Sequence, residues 1–511
     1  MNRLIHLIYS NKLFALLMLI IQLAVLILGV WWLTDYQFYF HTAYVILTAI
    51  LIIFEVNRTE NPTFKITWLL LIALVPIFGA LLYIYTRIDL SSKALRDTLN
   101  IASEDIRAQA PDDSELMDKL QKNSSPIYST ANFLSSHGAS PVFTNTALKY
   151  YPLGESMFED MLKELKQAKH FIFLEFFIIN REGRVWPEIL SILKQKVREG
   201  VEVRVIYDGM GCLTTLPRYY EEELNSLNIK CRTFLPVQPL LSTYQNNRDH
   251  RKLMIIDGKT AFTGGINLAD EYANYIERFG HWKDTGIRLK GSAAAGFTGL
   301  FLQMWNGMGE YDSPEKCRRY MSMAEPLKAE GIVVPYTDSP LDDVNTGLRI
   351  YVDMINRAQH RVNIMTPYLV LDDELYNALR YAVQRGVDVR IILPHIPDKK
   401  YAFWLARTYY PQLINSGVRI YEYTPGFVHA KMLECDKRSA VVGTINFDYR
   451  SLFLHHECAA YLYDVPEIVN IREDFNDTLY LCRRITMEEY KKFNLITKFI
   501  GRVIRLIAPL L

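Results

Sequence analysis

The 511-residue chain reads as an α/β protein with two related halves, each a mixed or parallel sheet flanked by helices, preceded by N-terminal transmembrane helices. Three observations carry this. Strand-like and helix-like segments alternate from about residue 138 onward, the order that builds α/β layers. The same segments recur in the same order further along the chain. Before both lie three long runs of apolar residues.

The apolar runs come first. Residues 13–33 form a run of 21 whose one strongly polar member is Gln22, residues 38–54 add 17, and residues 66–85 add 20, interrupted by Pro76 and Gly79. A bilayer core needs about 20 apolar residues per helix. The first and third runs are long enough to span and the second is borderline. A cleaved leader does not fit, because no small-residue cleavage site follows the first run and further apolar runs come after it. Trp31, Trp32 and Trp68 lie near segment ends, as interfacial anchors do. Basic residues occur before the first run (Arg3, Lys12), between the second and third (Arg58, Lys65) and after the third (Arg87, Lys93, Arg96). The positive-inside rule puts all three groups in the cytoplasm, which three full spans cannot satisfy. Either one run is re-entrant or interfacial, or the rule is broken here. The expected place is the cell membrane, multi-pass, with the α/β body at the cytoplasmic face. This gives an anchor over 1–90. A polar stretch rich in Ser, Asp and Lys follows over 91–137, read as a linker.

The body divides into 138–312 and 313–511. Residues 171–179 are a strand candidate, a helix pattern ends at Gly200, and Val201 to Tyr207 begin a second strand with alternating character. The segment Gln167 to Ile172 is echoed by Arg357 to Val362, Val197 to Ile206 by Val383 to Ile392, and Asp249 to Gly258 by Val428 to Lys437. The offsets are 190 (358 − 168), 186 (386 − 200) and 179 (429 − 250). Loop insertions produce such drift, and the period is too long for a solenoid.

The chemistry sits in the third echo. Both copies read His-x-Lys-x-x-x-x-Asp: His250, Lys252 and Asp257, then His429, Lys431 and Asp436. Each is followed by a small-residue turn and an asparagine, Asn267 and Asn446, 17 residues after its histidine (267 − 250 = 446 − 429). On a strand, positions i and i+2 face one way, so His and Lys of each copy point together. The aspartates fall on the opposite face and suit a structural bridge better than a chemical role, although they complete the motif. Phosphodiester transfer without a metal needs a nucleophile, an acid for the leaving alkoxide and cations for the phosphoryl oxygens. Two near-neutral histidines fill the first two roles. Lys252, Lys431, Asn267 and Asn446 supply charge and donors for the transition state.

These paired motifs resemble those of the phospholipase D superfamily. From about residue 60 to the C-terminus the chain resembles the bacterial cardiolipin synthases of that superfamily. The matches include Trp68-Leu-Leu-Leu with Pro76-Ile-Phe-Gly79, Asn247 to Lys252, Gly264 to Tyr272, Trp282-Lys-Asp-Thr285 and Thr366-Pro-Tyr368. That family usually shows two apolar segments, and this chain has three. The resemblance implies a phosphohistidine intermediate, with His250 as nucleophile and His429 as general acid and base. The pseudosymmetry of the residues leaves that order open. The resemblance also puts Asp284 and Glu457 where the family carries the carboxylates that hold the histidines' other nitrogens. Phosphatidylglycerol is the implied substrate and cardiolipin the product, in an anionic membrane.

Several other readings fall away. A net charge of +1 gives no drive toward nucleic acid. His455 and His456 adjoin Glu457, but no carboxylate or histidine set at zincin spacing accompanies them, so no metal and no cofactor are expected. The six cysteines form no Cys-x-x-Cys pair and read as reduced, scattered thiols. Near the end, over about 488–508, Lys491, Lys498, Arg502 and Arg505 recur at helical spacing beside an apolar face. That pattern is an interfacial helix on anionic lipid, or else a terminal core helix. The expected activity is transfer of a phosphatidyl group between two phosphatidylglycerol molecules, releasing glycerol. The alternatives are the same chemistry with water or another alcohol as acceptor, and a non-catalytic lipid-binding scaffold.

Overall fold

A computed structural model describes residues 37–59, 61–87, 90–237, 246–342 and 344–510. The first apolar run, 13–33, lies outside the described residues. Contacts group the chain into two units: residues 1–94, 237–246 and 506–511, and residues 95–236 and 247–505.

In the first unit, α1 (Gln37–Val56), α2 (Pro62–Leu74) and α3 (Pro76–Arg87) pack around Trp68, Ile72, Ala80 and Tyr83. The run 66–85, expected to span as one helix, is broken. Pro76 has no N–H to continue a helix and disfavours helical geometry at the residue before it. Val75 accordingly adopts φ −129° and ψ 71°. The chain then folds back, with Trp68 and Tyr83 edge to face at 5.5 Å. Gly79 permits this, since a Cβ there would stand 2.3 Å from the Leu71 carbonyl oxygen. The Tyr83 hydroxyl donates to Glu55 at 2.7 Å, tying α3 to α1. Among the described residues no helix is long and apolar enough to cross a membrane. The expectation of transmembrane helices is corrected to that extent. Even so, α1 exposes Phe38, Ile46, Ile50, Ile53 and Phe54.

In the second unit, the stretch expected as a linker is helical: Leu90–Gln109, Ser114–Lys122 and Tyr128–His137. Leu95, Leu99, Ala102 and Ile106 recur at helical spacing and pack inward. The first sheet runs β1 (Thr146–Tyr151), β9 (Gly286–Gly291), β7 (Thr260–Gly264), β6 (Lys252–Ile256), β2 (Phe171–Phe176), β3 (Glu202–Asp208), β4 (Lys230–Phe234). The second runs β10 (Ile332–Asp338), β17 (His455–Tyr463), β16 (Ser439–Gly443), β15 (Met432–Cys435), β11 (Arg361–Met365), β12 (Asp388–Pro394), β13 (Arg419–Tyr423), β18 (Cys482–Ile485). In each sheet three strands joined by helices are parallel: β2, β3 and β4, and β11, β12 and β13. The motif-bearing strands β6 and β15 enter antiparallel to β2 and β11. The sheets are therefore mixed, and equivalent strands hold equivalent places.

One apolar core joins both sheets: Phe173, Leu253 and Ile255 from the first, Met365, Val442 and Leu462 from the second. The helix Ala294–Gly307 is buried along its whole length within that core, and it is apolar on every side, as such a helix must be.

The basic C-terminal segment is two helices, Met487–Lys491 and Leu495–Arg505, where one was expected over 488–508. Asn494 interrupts it, its side chain accepting from the Ile496 amide at 2.7 Å as an N-cap. Gly501 packs on the Trp404 carbonyl, and Arg505 stacks on Tyr409 at 4.1 Å. Leu495, Ile496 and Phe499 face outward, Phe499 with 67% of its surface exposed. It is therefore not a buried core helix.

Candidate active site

Two short strands thread from one half of the body into the other. β5 (Arg248–Asp249) pairs with the start of β17, and β14 (Gly426–Val428) pairs with β8 (His281–Lys283). Each leads directly into a motif. The exchange is completed by backbone bonds: the His250 amide donates to the His456 carbonyl at 2.9 Å, and the His429 amide to the Lys283 carbonyl at 2.7 Å.

The side chains cross in the same way. Nδ1 of His250 lies 2.9 and 3.0 Å from the two oxygens of Glu457. Nδ1 of His429 lies 2.7 Å from Oδ2 of Asp284. Each histidine is therefore held by a carboxylate from the opposite half. Both carboxylates are fully buried, and such a partner fixes the ring's orientation and tautomer. The two carboxylates are supported differently. Glu457 accepts from Ser451 at 2.5 Å and from the Thr444 hydroxyl. Thr444 stands where the first copy has Gly265, and a Cβ at Gly265 would meet Asp284 Oδ1 at 2.0 Å. The first copy needs glycine to admit its carboxylate, and the second uses the extra atoms to bond its own.

The two lysines are almost completely buried. Lys252 donates to the His250 carbonyl at 2.6 Å and Lys431 to that of His429. Nζ of Lys431 is also 2.8 Å from Nδ1 of His429. Burial, partly offset by Asp284, lowers Lys431 to about 7. Burial, offset by Glu457, lowers Lys252 to about 8. His250 is held well below its ordinary value by burial, then by Lys252, with further pushes from His455, Lys431 and His429. Burial and Lys431 bring His429 down to about 4. Both motifs thus act on both rings, and the net effect favours the neutral form of each. Burial pushes Asp284 upward, but His429 and Lys431 outweigh it and hold the carboxyl below its ordinary value. For Glu457 burial prevails and its carboxyl is raised well above that range.

Aromatic rings line the histidines: Phe177 5.0 Å from His250, and Tyr272 and Trp282 5.4 and 5.2 Å from His429. They keep bulk water from the reacting nitrogens.

The remaining expected residues sit elsewhere or are partly occupied. Asp257 lies at the far end of β6, where it accepts from the amides of Lys169, His170 and Phe171 at 2.7–2.8 Å. Asp436 does the same for Gln359, His360 and Arg361 at 2.7–2.9 Å. Grouping them with the catalytic set therefore needs correction: each ties its motif strand to the start of β2 or β11. Both have positive φ, 53° and 56°, which aspartate tolerates better than most residues. Asn267 spends its carbonyl on the Ile178 amide and one amide hydrogen on the Tyr272 hydroxyl. Asn446 is buried, with Oδ1 unpartnered among the described residues.

Sequence reasoning missed Ser451, Thr444, Phe177 and Tyr272. Only Thr444 left a trace, as the break in symmetry against Gly265. His455, which the sequence placed beside Glu457 without assigning it a role, has Nδ1 3.8 Å from Oε1 of Glu457. All six cysteines are free thiols.

Comparison with known proteins agrees with this geometry. Residues 161–280 and 351–479 match the family described as "Cardiolipin synthase, PLD-like domain". Residues 43–87, which include α2 and α3, match a "Phospholipase_D-nuclease N-terminal" family. An uncharacterized protein of Streptococcus mutans is 48% identical over 90% of this chain and 99% of its own. Cardiolipin synthase 2 of Bacillus anthracis is 34% identical over 90% of this chain and 89% of its own. Among solved structures, a phosphatidylserine synthase of Haemophilus influenzae shares the fold, with TM-score 0.54 and 13% identity over 71% of this chain and 93% of that one. With two copies of the PLD-like domain and relatives at this identity along nearly its whole length, the chain belongs to the cardiolipin synthases of the phospholipase D superfamily.

Proposed function

We propose that the protein makes cardiolipin and glycerol from two molecules of phosphatidylglycerol, through a phosphohistidine on His250. The observation that carries this is the crossed pair of buried His–carboxylate contacts, His250 with Glu457 and His429 with Asp284. Burial pushes both rings toward the neutral form, which a nucleophile requires. A bound phosphodiester brings the negative charge that favours imidazolium, so the acid form of His429 belongs to the substrate complex. His250 Nε2 attacks phosphorus, the bond to the glycerol oxygen breaks, and His429 gives that oxygen its proton. The terminal hydroxyl of a second phosphatidylglycerol then loses its proton to His429 and attacks. The P–N bond breaks and cardiolipin leaves. Lys252 and Lys431 stabilise the phosphoryl oxygens as charge builds. Halves 138–312 and 313–511 act as paired domains, each lending a carboxylate to the other's histidine.

The site works at an anionic membrane surface. Support comes from the apolar run 13–33, the outward apolar residues of α1, and the Leu495–Arg505 helix with Phe499 outside and Lys498 and Arg502 nearby. A body on the cytoplasmic side accounts for the basic residues flanking the runs.

Product analysis tests the reading. Reconstituted protein given labelled phosphatidylglycerol alone should yield cardiolipin and glycerol, with label trapped on His250 after an acid-free quench. Phosphatidic acid as the sole product would mean that water is the acceptor. Synthesis that survives both His250→Ala and His429→Ala, or that stops on adding EDTA, would remove the mechanism.

A further inference from the structure

We propose that His250, His455 and Glu457 form a binding site for a zinc-like divalent cation, and that the bound cation shuts off the transferase by reversing the His250 tautomer. The inhibitory half rests on the function proposed above; the binding half does not.

The three residues each offer a ligand atom, all within 4.8 Å of one another. Nδ1 of His250 is 2.9 Å from Glu457 Oε1, and Nδ1 of His455 is 3.8 Å from the same oxygen. Zinc binds nitrogen and carboxylate oxygen at about 2.0–2.2 Å, so tetrahedral neighbours stand roughly 3.4 Å apart. The distances fall on either side of that value.

His455 is the second, independent observation. Its side chain is nine-tenths buried, and neither ring nitrogen has a hydrogen-bond partner among the described residues. Buried polar atoms are nearly always partnered. His455 instead stands with its ring centre 5.4 Å from that of His250. Two imidazoles and a carboxylate suit zinc and its neighbours over magnesium or calcium. The Lys252 ammonium opposes a cation here, which sets affinity below that of a structural zinc site.

Inhibition follows from counting protons. A neutral imidazole carries one N–H. With Glu457 ionised and that hydrogen on Nδ1 facing it, the Nε2 lone pair is free to attack phosphorus. A cation on Nδ1 takes that lone pair, and the displaced proton moves to Nε2 of the same ring. Nε2 then has no electrons to offer. No bond to substrate forms and nothing is oxidised. Removing the cation returns the proton to Nδ1.

The test uses the full chain in detergent, on a Cys482→Ser background because Cys482 is the one partly exposed thiol. Zinc binding is followed by equilibrium dialysis, and cobalt by its visible spectrum. One zinc per chain is expected. His455→Asn should weaken binding at least about tenfold, while His429→Ala, outside the donor set, should bind as the parent does. Cardiolipin synthesis should fall as zinc saturates the site and return with EDTA, and His455→Asn should need correspondingly more zinc for the same loss. A melting temperature equal to the parent's shows that the variant is folded. The proposal is overturned if the parent binds no stoichiometric zinc, or if His455→Asn binds as tightly or is inhibited at the same concentration. Zinc binding with no His250 phosphoenzyme would remove the proposed mechanism and leave the binding site standing.

Discussion

Asp284 holds Nδ1 of His429 at 2.7 Å, although the two are 145 residues apart and belong to opposite halves of the duplicated body. The carboxylate accepts the Nδ1 hydrogen and leaves Nε2 to exchange a proton with substrate. Asp284→Asn puts an amide in its place, which can donate to Nδ1 and drive the hydrogen to Nε2. A fall in kcat of roughly 10²- to 10⁴-fold is expected, the range seen when an orienting aspartate is so replaced, with the melting temperature near the parent's. Equal kcat in the variant would remove Asp284 from the mechanism.

Lys431 gives the reaction a basic limb. Its ammonium is lowered to about 7, so it is charged below that pH and neutral above it. The groups acting on it are His429 at 2.8 Å, Asp284, Lys252, Glu457 and Asp448. If its charge is needed for the phosphoryl oxygens, kcat/KM should decline above about pH 7, since that ratio reports the free enzyme. Lys431→Arg keeps its charge at every accessible pH. It should lower the plateau through altered geometry but flatten the basic limb. An unchanged limb would assign it to another group.

The motif aspartates should separate stability from chemistry. Asp257→Ala leaves the amides of Lys169, His170 and Phe171 without their acceptor. A loss of about 1–2 kcal/mol is expected, mainly from the buried Phe171 amide left unmatched, read as a lower denaturation midpoint. Protein that remains folded should keep most of its kcat. A loss of kcat by several orders of magnitude at unchanged stability would return Asp257 to the chemistry.

The outward face of the Leu495–Arg505 helix should enter lipid. An environment-sensitive dye on Phe499→Cys, in the Cys482→Ser background, should shift to the blue with phosphatidylglycerol vesicles and much less with phosphatidylcholine vesicles. Replacing both Lys498 and Arg502 with alanine should weaken the response by roughly 2 kcal/mol, at about 1 kcal/mol per basic residue. Equal shifts on both vesicle types would show that charge plays no part.

Much of this was legible in the sequence because duplication writes each message twice. The two motifs and the recurrence of the same segments in the same order followed from the echoes alone. What was illegible was contact between the copies. Nothing in the spacing says that Glu457 turns to His250 and not to His429, because that depends on β5 and β14 crossing over. The placement of Asp257 was legible from strand parity, although membership of the motif drew it into the catalytic group. The hairpin at Val75–Pro76 was half legible: Pro76 and Gly79 were visible as interruptions, but hydropathy counts apolar residues and is blind to a reversal of direction. Ser451 and Tyr272 carried no signal, since hydroxyl residues are common and only their distance from Glu457 or His429 distinguishes them, whereas Thr444 showed itself as the one departure from Gly265 in the repeated turn.

The 207 residues between His250 and Glu457 also set an order in time. A ribosome adding about 5–20 residues per second releases the histidine roughly 10–40 seconds before its partner. Throughout that interval the nascent chain already has a complete first motif, but the carboxylate that holds its histidine has not yet been made. A truncated or stalled chain is in the same position. The crossed carboxylates thus tie the proposed chemistry to completion: His250 gains its partner only once synthesis has passed residue 457.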